Sequence, residues 1–400
     1  MDSLKLAELK NDKFLKSFRR AYYQSEFYKR YYDEHGVNIN QILSIDDLHL
    51  LPVLKKEHIR KHYQEFLTTN KSLLTKGYTS GTSGTPLTLY RDYESVIEEN
   101  AYLWAQRSLC GHEPGMRAIS LRGDLDAVNR ESFDKYTKTL FLSSFSLKEE
   151  NAEWYYEKIK SFKPNAIYAY PSSMETLCNM LQSINRTYPV PYIFTSSETL
   201  YEFQRNKISQ IFGSRVFDWY GNAERSIALE ELKDGKYYEA PLYSINEYKE
   251  NCVLTTGLIN HCFPIIRYEM DDIINIKQDQ FGRVEEIIGI QGRKDDTLTF
   301  YDGTHIGRMS GALKGVENVK FTQIVQNDPY SFVVNVVPCV DYTCEDEQML
   351  RNKIRTKVGH IPFEIKIVNE DQIIKSKAGK YKLIINTCKE KVNAQAVERN

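Results

Sequence analysis

No run in this 400-residue chain approaches the roughly 20 consecutive apolar residues that span a bilayer. The opening MDSLKLAELKNDKFLKSF is charged and amphipathic, without the apolar core or cleavage site of a secretory leader. A cytoplasmic protein with no membrane span is therefore expected. An excess of either charge is also missing: 53 Lys and Arg stand against 54 Asp and Glu, a net charge of −1. That balance argues against nucleic acid as the main partner, which calls for a basic face. The seven cysteines are odd in number and scattered, with no disulfide-framework spacing, as suits reduced thiols. Cys252, His261 and Cys262 lie close in sequence but lack a fourth ligand at a zinc-like spacing, so buried apolar thiols are expected. No internal repeat or low-complexity segment is visible.

What is present is a globular composition, 41% hydrophobic and 27% charged, with a mean hydropathy of −0.51. The length exceeds what one core usually supports, so two domains are expected. Residues 2–35 have a helical period, with Leu9, Phe14, Phe18, Tyr22 and Phe27 among charges and Gly36 as its terminator. Past Tyr78, short apolar strands alternate with amphipathic helices. Strands are predicted at 117–123, 166–170, 191–197 and 215–221, and helices at 152–162, 173–184 and 201–213. This alternation predicts βαβ units, whose ligands bind beyond the carboxyl ends of the strands. From about residue 236 the chain is strand-rich, and beyond Arg293 a small α+β unit follows. The fold class expected is α/β: a large N-terminal domain (1–294) with βαβ-type mixed sheets and a strand-rich subdomain, then a small mobile α+β domain (295–400).

YTSGTSGTP (78–86) lies between a possible strand and a helix predicted to begin near Asp92. Gly81 and Gly84 permit backbone conformations closed to other residues. Thr79, Ser80, Thr82, Ser83 and Thr85 supply five hydroxyls, suited with exposed amides to phosphate oxygens. No Lys follows Gly84, so this is not the phosphate loop of kinase-like NTPases. A flexible Ser/Thr/Gly linker is the plainer reading of the segment taken alone.

From this loop onward the sequence resembles the adenylate-forming superfamily, and more closely the branch of phenylacetate–CoA ligase and the CapK-like proteins. SEFYKRYYDEHGV (25–37) and DDLHLLPVLKKEHIR (46–60) are similar to that branch's N-terminal arm. YTSGTSGTPLTLYR resembles its phosphate loop, SSE (196–198) its loop beside adenine, and WYGNAE (219–224) its Y-G-x-x-E motif. IIRYEMDD (265–272) resembles R-Y-x-x-x-D, GRKDD (292–296) the hinge, and KSKAGKYKL (375–383) the segment ending in Gly-Lys. These ordered motifs, spread over three hundred residues, are specific where any one is weak.

The resemblance implies ATP-dependent activation of a carboxylic acid to an acyl-adenylate, then acyl transfer to a thiol such as coenzyme A. It implies nucleotide contacts from Thr79–Thr85, Ser197, Glu198, Tyr220, Gly221, Asp272 and Arg293, with Tyr220 on adenine and Asp272 on the ribose. Glu224 would bind Mg²⁺, and Lys380 would bridge the reacting carboxylate and phosphate. Asp295 would be the hinge, and Tyr170, Pro171 and Ser196 would border the acyl pocket. Phenylacetate–CoA ligase relatives often carry zinc-binding Cys and His after Y-G-x-x-E. Residues 226–240 contain neither, so no zinc is expected.

Plainer roles exist for each residue: a helix-start charge for Glu224, a turn for Asp272, a solvated face for Lys380. Two other functions compete. One is an acyl-AMP-dependent amide ligase acting on an amino sugar in polysaccharide biosynthesis; the other is a non-catalytic nucleotide-binding scaffold. The acid, the acceptor (coenzyme A, a carrier thiol or an amino sugar) and the choice of monomer or homodimer are not encoded legibly.

Overall fold

A computed structural model describes residues 3–78, 87–122, 130–249, 252–280, 283–293, 298–301, 305–306, 309, 318–375 and 381–388. Its helices are α1 (Ser3–Gln24), α2 (Glu26–Glu34), α3 (Lys56–His62), α4 (Tyr93–Cys110), α5 (Ala152–Phe162), α6 (Pro171–Ser183), α7 (Glu202–Phe212) and α8 (Cys344–Val358). The first strands are β1 (Thr75–Tyr78), β2 (Thr88–Arg91), β3 (Ala118–Arg122), β4 (Glu131–Asp134), β5 (Thr139–Ser143), β6 (Ala166–Ala169), β7 (Tyr192–Ser196) and β8 (Arg215–Gly221). There follow β9 (Ala228–Glu231), β10 (Tyr237–Glu239), β11 (Ser244–Lys249), β12 (Cys252–Gly257), β13 (Tyr268–Glu269), β14 (Asp272–Gln278) and β15 (Val284–Arg293). Last come β16 (Leu298–Thr299), β17 (His305–Ile306), β18 (Val319–Asp328), β19 (Ser331–Pro338), β20 (Phe363–Ile367) and β21 (Ile384–Asn386). Two compact units result. One is Met1–Met116, Phe194–Ser197 and Phe217–Ile290; the other is Arg117–Ile193, Glu198–Val216 and Gln291–Asn400.

In the first unit, the single helix expected over 2–35 is broken at Ser25. Its φ of −101° leaves the helical region, and its hydroxyl accepts from the Tyr28 amide. Serine favours this capping role because its side chain satisfies an amide the helix start would leave unpaired. The same hydroxyl donates to the Glu65 carbonyl at 2.8 Å. Gly36, at φ +66°, ends α2 in the left-handed conformation expected of it. Phe27, Tyr28, Tyr31 and Tyr32 are buried from α2, and Phe27 stacks on Phe66 with ring centroids 4.2 Å apart. The Tyr28 hydroxyl donates to the Pro264 carbonyl and accepts from the Ile266 amide, both at 3.0 Å. The aromatic stripe is therefore core, with one phenol fixing the chain just before Arg267. Here β8, β9, β10, β15 and β14 lie in that order, with β8 antiparallel to β9, and β11–β12–β13 form a separate antiparallel sheet.

The second unit contains the expected βαβ pattern. Strand β3 is parallel to both β5 and β6, with β4 antiparallel at the edge on β5. Helix α5 connects β5 to β6, and α6 follows β6. Ile119, Leu121, Ile167, Leu177, Ile193 and Phe212 sit in its core. Near the C-terminus β18 and β19 pair antiparallel, while β20 and β21 add in parallel to β19 and β18. Phe332, Val334 and Val336 alternate inward along β19 against Leu350 and Ile354 of α8. The period of two in SFVVNVVP and the Thr343–Asp346 capping box of α8 explain why these residues form these elements. This is the small α+β arrangement the sequence suggests.

Candidate active site

In the first unit, β8 carries the W-Y-G motif on a buried polar frame. Asp218 accepts from the Thr195 hydroxyl at 2.6 Å and the Tyr237 hydroxyl at 2.8 Å. Its amide donates to Glu231 at 2.9 Å, and Gln106 Nε2 donates to its carbonyl at 2.8 Å. Buried polar groups are tolerated when so paired, and such networks fix one arrangement. On this frame Tyr220 projects its hydroxyl to Asp272 Oδ2 at 2.5 Å. Two residues 52 apart in sequence, expected at the adenine and the ribose, are thus brought together. Gly221 has little room for a side chain, since a Cβ would lie 3.1 Å from Trp219 Nε1.

The turn after Gly221 is clamped on several sides. Asn222 Nδ2 donates to Ser226 Oγ at 2.8 Å and Asn222 Oδ1 accepts from the Ser226 amide at 2.9 Å; the Thr255 hydroxyl donates to Ser226 Oγ at 2.8 Å. Arg225 adopts φ +55°, and its Nε meets Glu99 at 2.6 Å. A Cβ on Gly257 would lie 2.7 Å from the Arg225 carbonyl oxygen, so that position accepts only glycine without movement. Glu224, 9% exposed, sits within this turn, and β9 rather than a helix follows it. The helix-start role for Glu224 therefore does not apply.

The Ser/Thr/Gly loop residues Thr79, Ser80, Gly81, Thr82, Ser83, Gly84 and Thr85 lie outside the described residues, but their stem does not. Strands β1 and β2 pair antiparallel from Thr75↔Arg91 to Tyr78↔Thr88. A strand thus precedes the helix begun near Asp92, where the sequence suggests the helix alone. Arg91 Nη2 donates to the Ala223 carbonyl at 2.7 Å, tying the stem to the residue before Glu224. The Arg91 Nε is buried with no hydrogen-bond partner among the described residues, and burial lowers the pKa of this guanidinium. Sequence reasoning missed Arg91, Arg225, Glu99 and Gly257. The Thr-Thr-Gly ending of β12 was the one available signal, a glycine inside a strand pattern.

Ser196 is buried at the end of β7, and the exposed Ser197 has φ +70°. In the second unit, Tyr170 precedes α6 and Pro171 opens it as its first residue. Glu198 accepts from the Ser172 amide and hydroxyl, each at 3.0 Å, and from the Tyr381 amide at 3.2 Å. Glu175 is buried on α6 and accepts from Gln204 Nε2 at 2.7 Å; burial pushes its carboxyl up to about 7. Lys380 and Asp295 lie outside the described residues, as does the side chain of Arg293.

Among the described residues no group of three His, Cys, Asp or Glu could hold a metal, Cys252, His261 and Cys262 included. A lone Glu224 carboxylate fits Mg²⁺ that takes its other ligands from phosphate and water. No helix among the described residues is long and apolar enough to cross a membrane.

Residues 299–387 match the CapK C-terminal domain family. The whole chain is similar to Protein CapK of Staphylococcus aureus, 24% identical across 96% of this chain and 90% of that one. It is also similar to phenylacetate–coenzyme A ligase of Thermus thermophilus, 21% identical across 74% of this chain and 72% of the relative. Among solved structures, 2-hydroxyisobutyryl-CoA ligase in its postadenylation state with R3-HIB-AMP superposes with a TM-score of 0.74. That match is 17% identical and covers 100% of this chain and 93% of the ligase. The chain thus resembles CapK over nearly its whole length, with residues 299–387 matching the CapK C-terminal domain and a fold shared with 2-hydroxyisobutyryl-CoA ligase.

Proposed function

We propose that this chain is an AMP-forming carboxylate ligase, which activates a carboxylic acid as an acyl-adenylate and passes the acyl group to a thiol such as coenzyme A. The observation that carries the reading is the Tyr220–Asp272 pair, 2.5 Å apart at the end of β8, beside the clamped turn holding Glu224. It stands at the carboxyl end of a strand, where ligands of α/β sheets bind. The likeness to ligases that work through acyl-AMP supports the same chemistry.

A carboxylate and an α-phosphate repel each other, so the reaction gains chiefly from alignment and charge neutralisation. Tyr220 offers its ring to the adenine, and Asp272 accepts from the ribose hydroxyls, oriented by the Tyr220 phenol. Gly221 and Ser197 lie beside the nucleotide, and Arg293 contacts its ribose or phosphate side. The Thr79–Thr85 loop holds the departing pyrophosphate, its stem fixed by Arg91 to Ala223. Glu224 would hold Mg²⁺, which would supply neutralisation of the phosphate charge. Lys380 counters charge at the reacting phosphorus. Tyr170, Pro171 and Ser196 border the acyl group. Residues 1–294 and 295–400 act as two domains that pivot at Asp295 between the half-reactions.

The test is carboxylate-dependent exchange of pyrophosphate into ATP across a library of acids. Exchange with at least one acid is expected. ATP binding without exchange across a broad panel would leave a scaffold as the better account. Supplying coenzyme A or an amino sugar to the active pair then separates thioester from amide formation.

A further inference from the structure

We infer that Arg225 is a positioning residue for Glu224, held by a forked contact to Ser95 and Glu99 of α4, with Arg91 tying down the residue on the other side of Glu224. Its role rests on the proposed reading of Glu224 as the carboxylate that would hold Mg²⁺. Arg225 sits at φ +55°, in the left-handed region that residues other than glycine avoid. Such a conformation persists where the surroundings over-determine it, and it gathers at functional sites. The Arg225 amide donates to the Asn222 carbonyl at 3.1 Å, and the Arg225 carbonyl leaves no room for a Cβ on Gly257.

The side chain supplies the remaining hold. Its Nε pairs with Glu99 Oε2 at 2.6 Å and its Nη1 donates to Ser95 Oγ at 3.1 Å, on residues one turn apart along α4. Glu99 Oε2 also accepts from the buried Tyr243 hydroxyl at 3.1 Å. The Arg225 and Glu99 side chains are only 8% and 20% exposed, so salt screens the pair little and breaking it is costly. Helix α4 begins at its Asp92 cap, which accepts from the Ser95 amide at 2.8 Å. Arg91, the residue before that cap, donates to the Ala223 carbonyl at 2.7 Å. Both chain neighbours of Glu224 are thus fastened to one short stretch, 91–99: Ala223 through Arg91, and Arg225 through Ser95 and Glu99. The charges of Arg225, Glu99 and Glu224 all act on the Arg91 guanidinium, which places the four side chains together. A carboxylate whose two flanking residues are fixed has few backbone positions open to it, as suits a lone protein ligand to a cation that demands near-ideal octahedral geometry.

Arg225→Lys keeps the cation and loses the fork, because an ammonium cannot reproduce the two directed contacts of a planar guanidinium. ATP is titrated by calorimetry into the full chain, once with Mg²⁺ and once with EDTA. In the parent, Mg²⁺ should tighten ATP binding. In Arg225→Lys the Kd for ATP with Mg²⁺ should rise about tenfold or more, with the Kd in EDTA within about twofold of the parent. Glu224→Gln should lose the same Mg²⁺-dependent part, and adding Arg225→Lys to it should remove nothing further, because the arginine acts through that carboxylate. Glu99→Gln, read in the same way, serves if the lysine variant fails to fold. An unchanged Kd with Mg²⁺, an equal loss with and without Mg²⁺, or full additivity with Glu224→Gln overturns the inference; the equal loss would mark Arg225 as structural only. A parent that binds ATP no tighter with Mg²⁺ overturns it too. A parent that gains from Mg²⁺ but exchanges no pyrophosphate defeats the ligase reading, and the titrations still decide the role of Arg225.

Discussion

The end of β8 in the first unit and the start of α6 in the second each hold a carboxylate, by opposite means. Asp272 receives a phenol from a strand that is braced from below by Asp218, Glu231, Gln106, Thr195 and Tyr237. The neighbouring turn is shaped by the close approach of Gly257 to the Arg225 carbonyl. Position there comes from packing and buried, paired polar groups, which cost much to rearrange. Glu198 is half-buried and joins Ser172 to Tyr381 by charge-assisted hydrogen bonds. Such bonds are strong when made and exchange readily with water at a partly exposed site. One region is held by packing and buried polar pairs, and the other by hydrogen bonds to a half-buried carboxylate.

Lys380→Ala presses hardest on this contrast. Removing the side-chain cation assigned to the reacting phosphorus should slow adenylation by about 10²–10³. Transfer from chemically supplied acyl-AMP should be spared, and single-turnover measurements of both half-reactions decide it. Equal loss in both steps would overturn the assignment of Lys380 to adenylation alone.

Gly257→Ala tests the rigid side. The new methyl would meet the Arg225 carbonyl oxygen at 2.7 Å. A loss of about 2–4 kcal/mol in unfolding free energy is expected, read by urea denaturation. A change below about 0.5 kcal/mol would show that the turn yields and is not rigid.

Glu175→Gln asks how dry the ground beneath α6 is. Burial raises the carboxyl from 4.5 to about 7, so the folded state keeps its proton where the unfolded state has released it. The associated stability is full below about pH 4.5 and is lost as pH rises through about 7. The variant, which cannot ionise, should gain on the parent between about pH 5 and pH 8, by at most about 3 kcal/mol. Melting temperatures across that range measure it; a constant difference would place Glu175 in contact with water.

The smallest effect is expected of Tyr220→Phe. It keeps the ring and removes one hydrogen bond to Asp272, worth about 1.5–3 kcal/mol where the acceptor is charged. A rise of about tenfold in the KM for ATP is expected, with the melting temperature lowered by several degrees at most. A large loss of stability instead would make the pair a structural clamp.

The strands ending at Gly221 and Ser196 were legible because local apolar runs bounded by polar loops carry their own signal. Helices α5, α6 and α7 were legible through their period. The join at Ser25 was not, because the aromatic stripe continues across it and only the capping hydroxyl marks the break. Strand β2 was hidden by its shortness. Arg91 gave no signal, since a cation before a helix looks like any surface charge until its partner, the Ala223 carbonyl 132 residues away, is known.

By itself the sequence determined the alternation of strands and helices, the α+β character of its last hundred residues, and the residue types and order from which an adenylate-forming site can be proposed. These are local properties, written in periodicity and in short motifs. Only the tertiary structure decided that Tyr220 grips Asp272, that Gly257 shapes the turn holding Glu224, and that Glu198 reaches Tyr381. Each depends on which distant backbone atoms come within hydrogen-bond or van der Waals range, and packing sets that distance.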